Sequence, residues 1–182
     1  MTYDLNSLFA ASGVQKPEDT IGFLLWRVAH RHQREVDRVL APLGLTHLQF
    51  VLIVQTAWLG RDGAVVTQAG LADYGKVSPM QLSSVLKTLS EKGLVVRNAH
   101  PGNARAKLVV LTDAAVALLA QALPTVTALQ ATFFGANAEF GADLHARLRQ
   151  VVAGWAKTVE TGPRTRRSRP RTSFDFPSIT SQ

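Results

Sequence analysis

Between Ser78 and Glu91 the chain carries hydrogen-bonding side chains at a helical spacing. If Leu82, Val85, Leu86 and Leu89, at i, i+3, i+4 and i+7, form the inward stripe of a helix, then Met80, Ser84, Lys87 and Glu91 face outward. Gln81, Ser83 and Thr88 flank them. This face offers an amide, hydroxyls, a thioether and one ammonium. An amide can pair with an adenine edge, hydroxyls reach either base type, and cations and backbone N–H groups hold phosphate. Such chemistry can read a major groove, and the alternative is an ordinary amphipathic helix of a bundle with a solvated outer face.

Further along, Arg105 and Lys107 lie beside Pro101-Gly102 and Asn103 in a segment with turn chemistry, within reach of a neighbouring minor groove or of phosphates. Thr67 and Lys76, ahead of the helix, and its first residue Ser78 complete the expected DNA contacts: Thr67, Lys76, Ser78, Met80, Gln81, Ser84, Lys87, Thr88, Asn103, Arg105 and Lys107. Catalytic constellations do not emerge. The sequence holds no phosphate-binding Gly loop, no nucleophile elbow and no His-Glu-x-x-His pair. No cofactor and no metal are expected.

The elements that must position these groups are marked by start and stop signals. Ser78-Pro79-Met80-Gln81 places an N-cap, a Pro at the first helical position and Gln at the third, and Gly93 supplies the stop. A shorter helix capped by Thr67 precedes it, with Gly75 expected to end it, so that only residues 75–78 separate the two. After Gly93, residues 94–98 and 107–111 read as strands of a hairpin joined by a loop over 99–106. Upstream, Asp19 or Thr20 opens a long helix with the stripe Ile21, Leu24, Leu25, Val28, Val36, Val39 and Leu40, and Thr46-x-x-Gln49 is a capping box opening a second. Downstream, Thr112-Asp113 starts an Ala- and Leu-rich helix to about Phe134, bent at Pro124. A last helix carries Phe140, Leu144, Leu148, Val151, Trp155 and Val159. The first and last long stripes both need a burial partner, which dimerisation would provide.

The chain has 182 residues, 46% hydrophobic and 18% charged, enough apolar content for a folded core. Its net charge of +7 is concentrated in residues 61–112 and 161–182, each +4. Positive charge on a folded segment favours a polyanion. Residues 161–182, with Arg164, Arg166, Arg167, Arg169 and Arg171, read as a basic, disordered tail. The absence of Cys excludes disulfides, thiolate metal sites and thiol redox sensing. The N-terminus does not read as a signal peptide, and no apolar stretch approaches a membrane span of about 18 residues without a polar break. A soluble cytoplasmic protein is expected.

Three stretches in this order resemble the multiple antibiotic resistance regulator (MarR) family: Leu45-Thr-His-Leu-Gln-Phe50, Leu82 to Leu94 closing on Glu91-Lys-Gly-Leu-Val95, and Arg105-Ala-Lys-Leu-Val-Val-Leu-Thr112. The resemblance spans about residues 20–160. It implies a mainly α fold with a small β-hairpin wing, a winged helix-turn-helix over about 61–112, and dimerisation helices over about 19–42 and 113–160. Residues 1–18 form an N-terminal arm outside it. It further implies a homodimer on a pseudo-palindromic, double-stranded operator, usually a repressor relieved by a small-molecule effector. Trp26, His32, His47 and Phe50 are the expected effector contacts. The chain departs from the family pattern at Asn103, where Asp is frequent, at Ala115, where Gly is common, and in having no Arg on the recognition helix. Competing readings are an architectural DNA-binding protein of low specificity, and a protein-interaction module on a winged-helix scaffold.

Overall fold

The structure, a computed structural model, describes residues 4–14, 16–135 and 139–159. In chain order the elements are α1 (Leu5–Ser12), α2 (Ile21–Leu40), α3 (His47–Gly60), α4 (Gln68–Gly75), α5 (Pro79–Glu91), β1 (Val95–His100), β2 (Asn103–Leu111), α6 (Asp113–Phe134) and α7 (Glu139–Val159). Short 3-10 turns occupy Pro17–Asp19 and Ala41–Leu43. The chain forms two compact units, Met1–Ala138 and Glu139–Gln182. The fold is mainly α, with one two-stranded antiparallel hairpin.

Hydroxyl caps set where the helices begin. Thr20, Thr46, Thr67, Ser78 and Thr112 each accept a hydrogen bond from the backbone N–H three residues on, satisfying a donor that the helix leaves unpaired. At Thr46 the box is complete, because Gln49 Oε1 accepts from Thr46 N at 3.3 Å. The same Oε1 accepts from Lys92 Nζ at 2.9 Å, and Lys92 also donates to Gly44 O at 2.6 Å. The start of α3 is thereby tied to the end of α5. Thr46→Ala should lower unfolding stability by about 1 kcal/mol, read as a shifted urea midpoint with an unchanged slope; an unmoved midpoint would remove the cap from the account.

One core joins α2 to α6. Val36, Leu40, Leu52, Ile53, Leu71, Leu82, Leu86, Leu89 and Val109 are almost wholly buried, with Ala115, Ala122 and Val126 of α6 closing the cluster. α3 contacts α2, α4, α5, α6 and β2, which explains its run Phe50-Val-Leu-Ile-Val54, apolar nearly all round. α6 is 22 residues long and apolar enough by composition to cross a membrane, which the expectation of no such stretch passed over. It buries Ala115, Ala122 and Val126 in the core cluster and leaves another face, with Val116 and Leu123, exposed.

Three expectations change. Gly75 does not supply the left-handed stop of α4; it is the last helical residue, and Lys76 takes the left-handed conformation at φ 50°. Gly75 has a different reason to be small, since a Cβ there would lie 2.7 Å from Gln55 Oε1. The hairpin is also tighter than residues 99–106 suggested. β1 and β2 pair from Val95↔Leu111 to His100↔Asn103, leaving only Pro101-Gly102 as the turn, with a register irregularity at Ala99/His100. The Ala-rich strand ends have little strand propensity of their own, and the backbone ladder carries them. Finally, the stripe on α2 is buried only at its C-terminal end; Ile21, Leu24, Leu25 and Val28 are exposed. α1, within the expected N-terminal arm, exposes Leu5, Leu8 and Phe9 as well.

α7, in the second unit, is a 21-residue helix with Leu148, Val151 and Val152 exposed. The side chains of Phe140, Trp155 and Val159, and the basic segment 161–182, lie outside the described residues.

Candidate nucleic-acid interface

α4 and α5 are joined by Lys76-Val77-Ser78, and the turn is pinned by Val77 N donating to Ala72 O at 3.1 Å. α5 then sits with Leu82, Leu86 and Leu89 fully buried, which fixes its rotation. That rotation leaves Met80, Gln81, Ser84 and Lys87 exposed, and Thr88 half-buried with its hydroxyl donating to Ser84 O at 3.3 Å. Lys87 stands 3.8 Å from Glu91, both exposed.

The hairpin is held beside this helix by a third extended segment. Val109 N donates to Val66 O at 2.9 Å, and Thr67 bridges to Leu108. At the other end Thr112 Oγ1 donates to Gly93 O at 2.8 Å while accepting from Ala115 N at 3.2 Å, so one hydroxyl closes the hairpin and starts α6. Between α4, α5 and the hairpin lies a groove of about 370 Å³ lined by Thr67, Gln68, Pro79, Ser83, Arg97 and Lys107, among others.

Two of the expected contacts have prior structural duties. The Thr67 hydroxyl accepts from Gly70 N at 3.0 Å and the Ser78 hydroxyl from Gln81 N at 3.2 Å. Lys76 is exposed and pairs with Asp73 at 2.8 Å, a contact that holds the Asp73 carboxyl below its ordinary value. Lys107 is exposed on β2 opposite Ala99. Asn103 and Arg105 occupy the first and third positions of β2; their side chains lie outside the described residues.

Arg97 was not among the expected contacts. It shares a face of β1 with buried Val95, and its guanidinium donates to Gln68 Oε1 at 3.0 Å. Its Nε is buried without a partner. The period-2 alternation Val95, Arg97 was the available signal, because it puts an Arg on the face turned toward α4.

The expected effector contacts do not gather in one place. The His32 ring lies 5.4 Å from that of His47, and 5.5 and 5.2 Å from Phe133 and Phe134 at the end of α6. Phe50 belongs to the buried core. Trp26 is exposed on another face of α2, its ring 4.4 Å from that of His30. His32 Nε2 is buried and unpartnered.

Burial lowers the pKa of His32, and the neighbouring His47 lowers it further. Burial also lowers that of His47, against an opposing pull from Asp37, whose carboxylate caps the backbone N–H of His47 at 2.6 Å. Both rings are therefore harder to protonate in the fold than the ordinary value of 6.5. Below that pH the unfolded chain takes up more protons than the native one, so stability rises with pH there. The contribution of these two rings should be fully present above pH 6.5 and be lost as the pH drops below it. Urea midpoints at neutral and mildly acidic pH check this. His32→Gln should flatten the dependence; an unchanged slope in that variant assigns it to other groups.

A family model described as MarR family matches residues 43–106. An uncharacterized HTH-type transcriptional regulator, YdcH of Bacillus subtilis, is 37% identical over 120 residues, covering 66% of this chain and 82% of the relative. A mutant MarR from E. coli complexed with operator DNA superposes with TM-score 0.64 and 28% identity, over 72% of this chain and 92% of that one. CouR from Rhodococcus jostii, bound to p-coumaroyl-CoA, gives TM-score 0.65 and 28% identity, over 76% and 95%. A capped recognition helix seated by three buried leucines, a hairpin stitched beside it, and these likenesses agree: the chain belongs to the MarR family of HTH-type transcriptional regulators.

Proposed function

We propose that the chain is a dimeric, DNA-binding repressor of the MarR type, acting in the cytoplasm, whose hold on a pseudo-palindromic operator is set by a small-molecule effector. The observation that carries this reading is the outward face of α5. Its burial pattern leaves Met80, Gln81, Ser84 and Lys87 exposed in one row, beside a hairpin bearing Arg105 and Lys107. The E. coli relative complexed with operator DNA supports DNA as the partner. The exposed apolar residues of α1 and the N-terminal half of α2 support the dimer, since apolar patches of this kind mark association surfaces.

For the effector, the cluster of His32, His47, Phe133 and Phe134 is the better site, with aromatic faces for stacking and one unpartnered imidazole nitrogen. An effector acts there only if it binds the DNA-competent and incompetent states unequally. CouR, with its acyl-CoA ligand, supports control by a small molecule.

Hydroxyl-radical footprinting on the DNA upstream of the chain's own gene tests the reading. Two protected patches about one helical turn apart are expected; uniform protection would favour an architectural protein, and no protection at low salt a protein-interaction module. Arg105→Ala should weaken binding on all sequences alike and reduce the salt slope by about 1. Unchanged affinity and slope would take the wing out of the mechanism.

A further inference from the structure

α5 has the sequence PMQLSSVLKTLSE and no Arg. Arg is the side chain that most often takes both acceptors of a guanine edge, with Lys as the other choice. The one cation on α5, Lys87, is nine residues in and faces Glu91. Base edges are met by the first turn of a recognition helix, and that turn carries Met80 and Gln81.

Met80 is 84% exposed, more than any other large apolar side chain among the described residues. It makes no contribution to the subunit core. Ser78 and Pro79 fix the backbone on which it stands, through the cap bond and the proline ring. Gln81 is also available. In α3, Gln49 turns its amide back onto the N-cap N–H; in α5, Gln81 gives only its backbone N–H to Ser78, and its side chain is exposed.

In the major groove only thymine offers an apolar group, its C5 methyl, and adenine offers the acceptor and donor pair that matches a carboxamide. A thioether is flexible and polarizable, suited to packing on such a methyl. Building on the operator-binding reading above, we propose that α5 reads A·T pairs, with Met80 packed on one thymine methyl in each half-site and Gln81 bonded to a neighbouring adenine.

The experiment uses the full chain and a site enriched by it from random duplex DNA. Each thymine is then replaced by uracil, which keeps every hydrogen-bonding group and lacks only the methyl. One position per half-site should weaken binding about fourfold, the worth of one buried methyl group, and both together about fifteenfold. Met80→Ala should bind the thymine and uracil sites equally. Its unfolding midpoint should match the wild type, since the side chain is outside the core. Uracil without effect at every position, or Met80→Ala retaining the full discrimination, overturns this assignment and leaves DNA binding intact. A pool with no enriched sequence overturns the operator-binding reading and this assignment together.

Discussion

Glutamate at both Leu24 and Leu25 should give a folded monomer that binds its operator at least about a hundredfold more weakly, the scale at which two linked sites exceed one. α2 is 20 residues long. Its C-terminal end is anchored by Val36 and Leu40, both fully buried. Leu24 and Leu25 are 46% and 48% exposed and stand outside the core cluster. Charging them therefore leaves the subunit core intact and places carboxylates where a second copy would bury apolar surface, a substitution that association cannot absorb without desolvating charge. Sedimentation reads the oligomer, and anisotropy with labelled operator reads the affinity. A variant that remains dimeric with undiminished affinity would move the dimer interface elsewhere.

The second large effect is on the fold. Leu86→Ala should lower unfolding free energy by about 3 kcal/mol, the usual cost of a Leu side chain removed from a closed core. Leu86 is 0% exposed and lies between Leu82 and Leu89 on the buried face of α5. An outward change such as Gln81→Ala should stay within about 0.5 kcal/mol. The two faces of one helix thus separate: the inner face decides whether the module folds, and the outer face is the one proposed to choose the DNA. Equal losses from both substitutions would mean that α5 is not seated as described.

The elements that were legible in the sequence are those fixed by local chemistry. Ser78-Pro79 and Thr46-x-x-Gln49 announce helix starts because a hydroxyl reaches only the nearest backbone donors. Leu82, Leu86 and Leu89 announce a buried face because a helix has a fixed period. What escaped was non-local. Gly75 looked like a stop, but its smallness answers to Gln55, 20 residues earlier. Arg97 was not singled out, and its partner Gln68 lies on a different element. His32 was an expected effector contact, yet the rings around it, His47, Phe133 and Phe134, come from α3 and the far end of α6. Trp26 and Phe50 were expected to line the same site; one is exposed beside His30, the other in the core.

α2 shows the same division. Its apolar spacing was read as one stripe, and the structure buries only the part that meets the subunit core. Periodicity records that a face is apolar; it does not say what covers it.

The most direct measurement is the affinity of the full chain for its enriched site and for scrambled DNA of the same composition, at one fixed ionic strength. Binding to the enriched site should be at least about a thousandfold tighter, with two chains per duplex. Equal affinity for the two duplexes would contradict it.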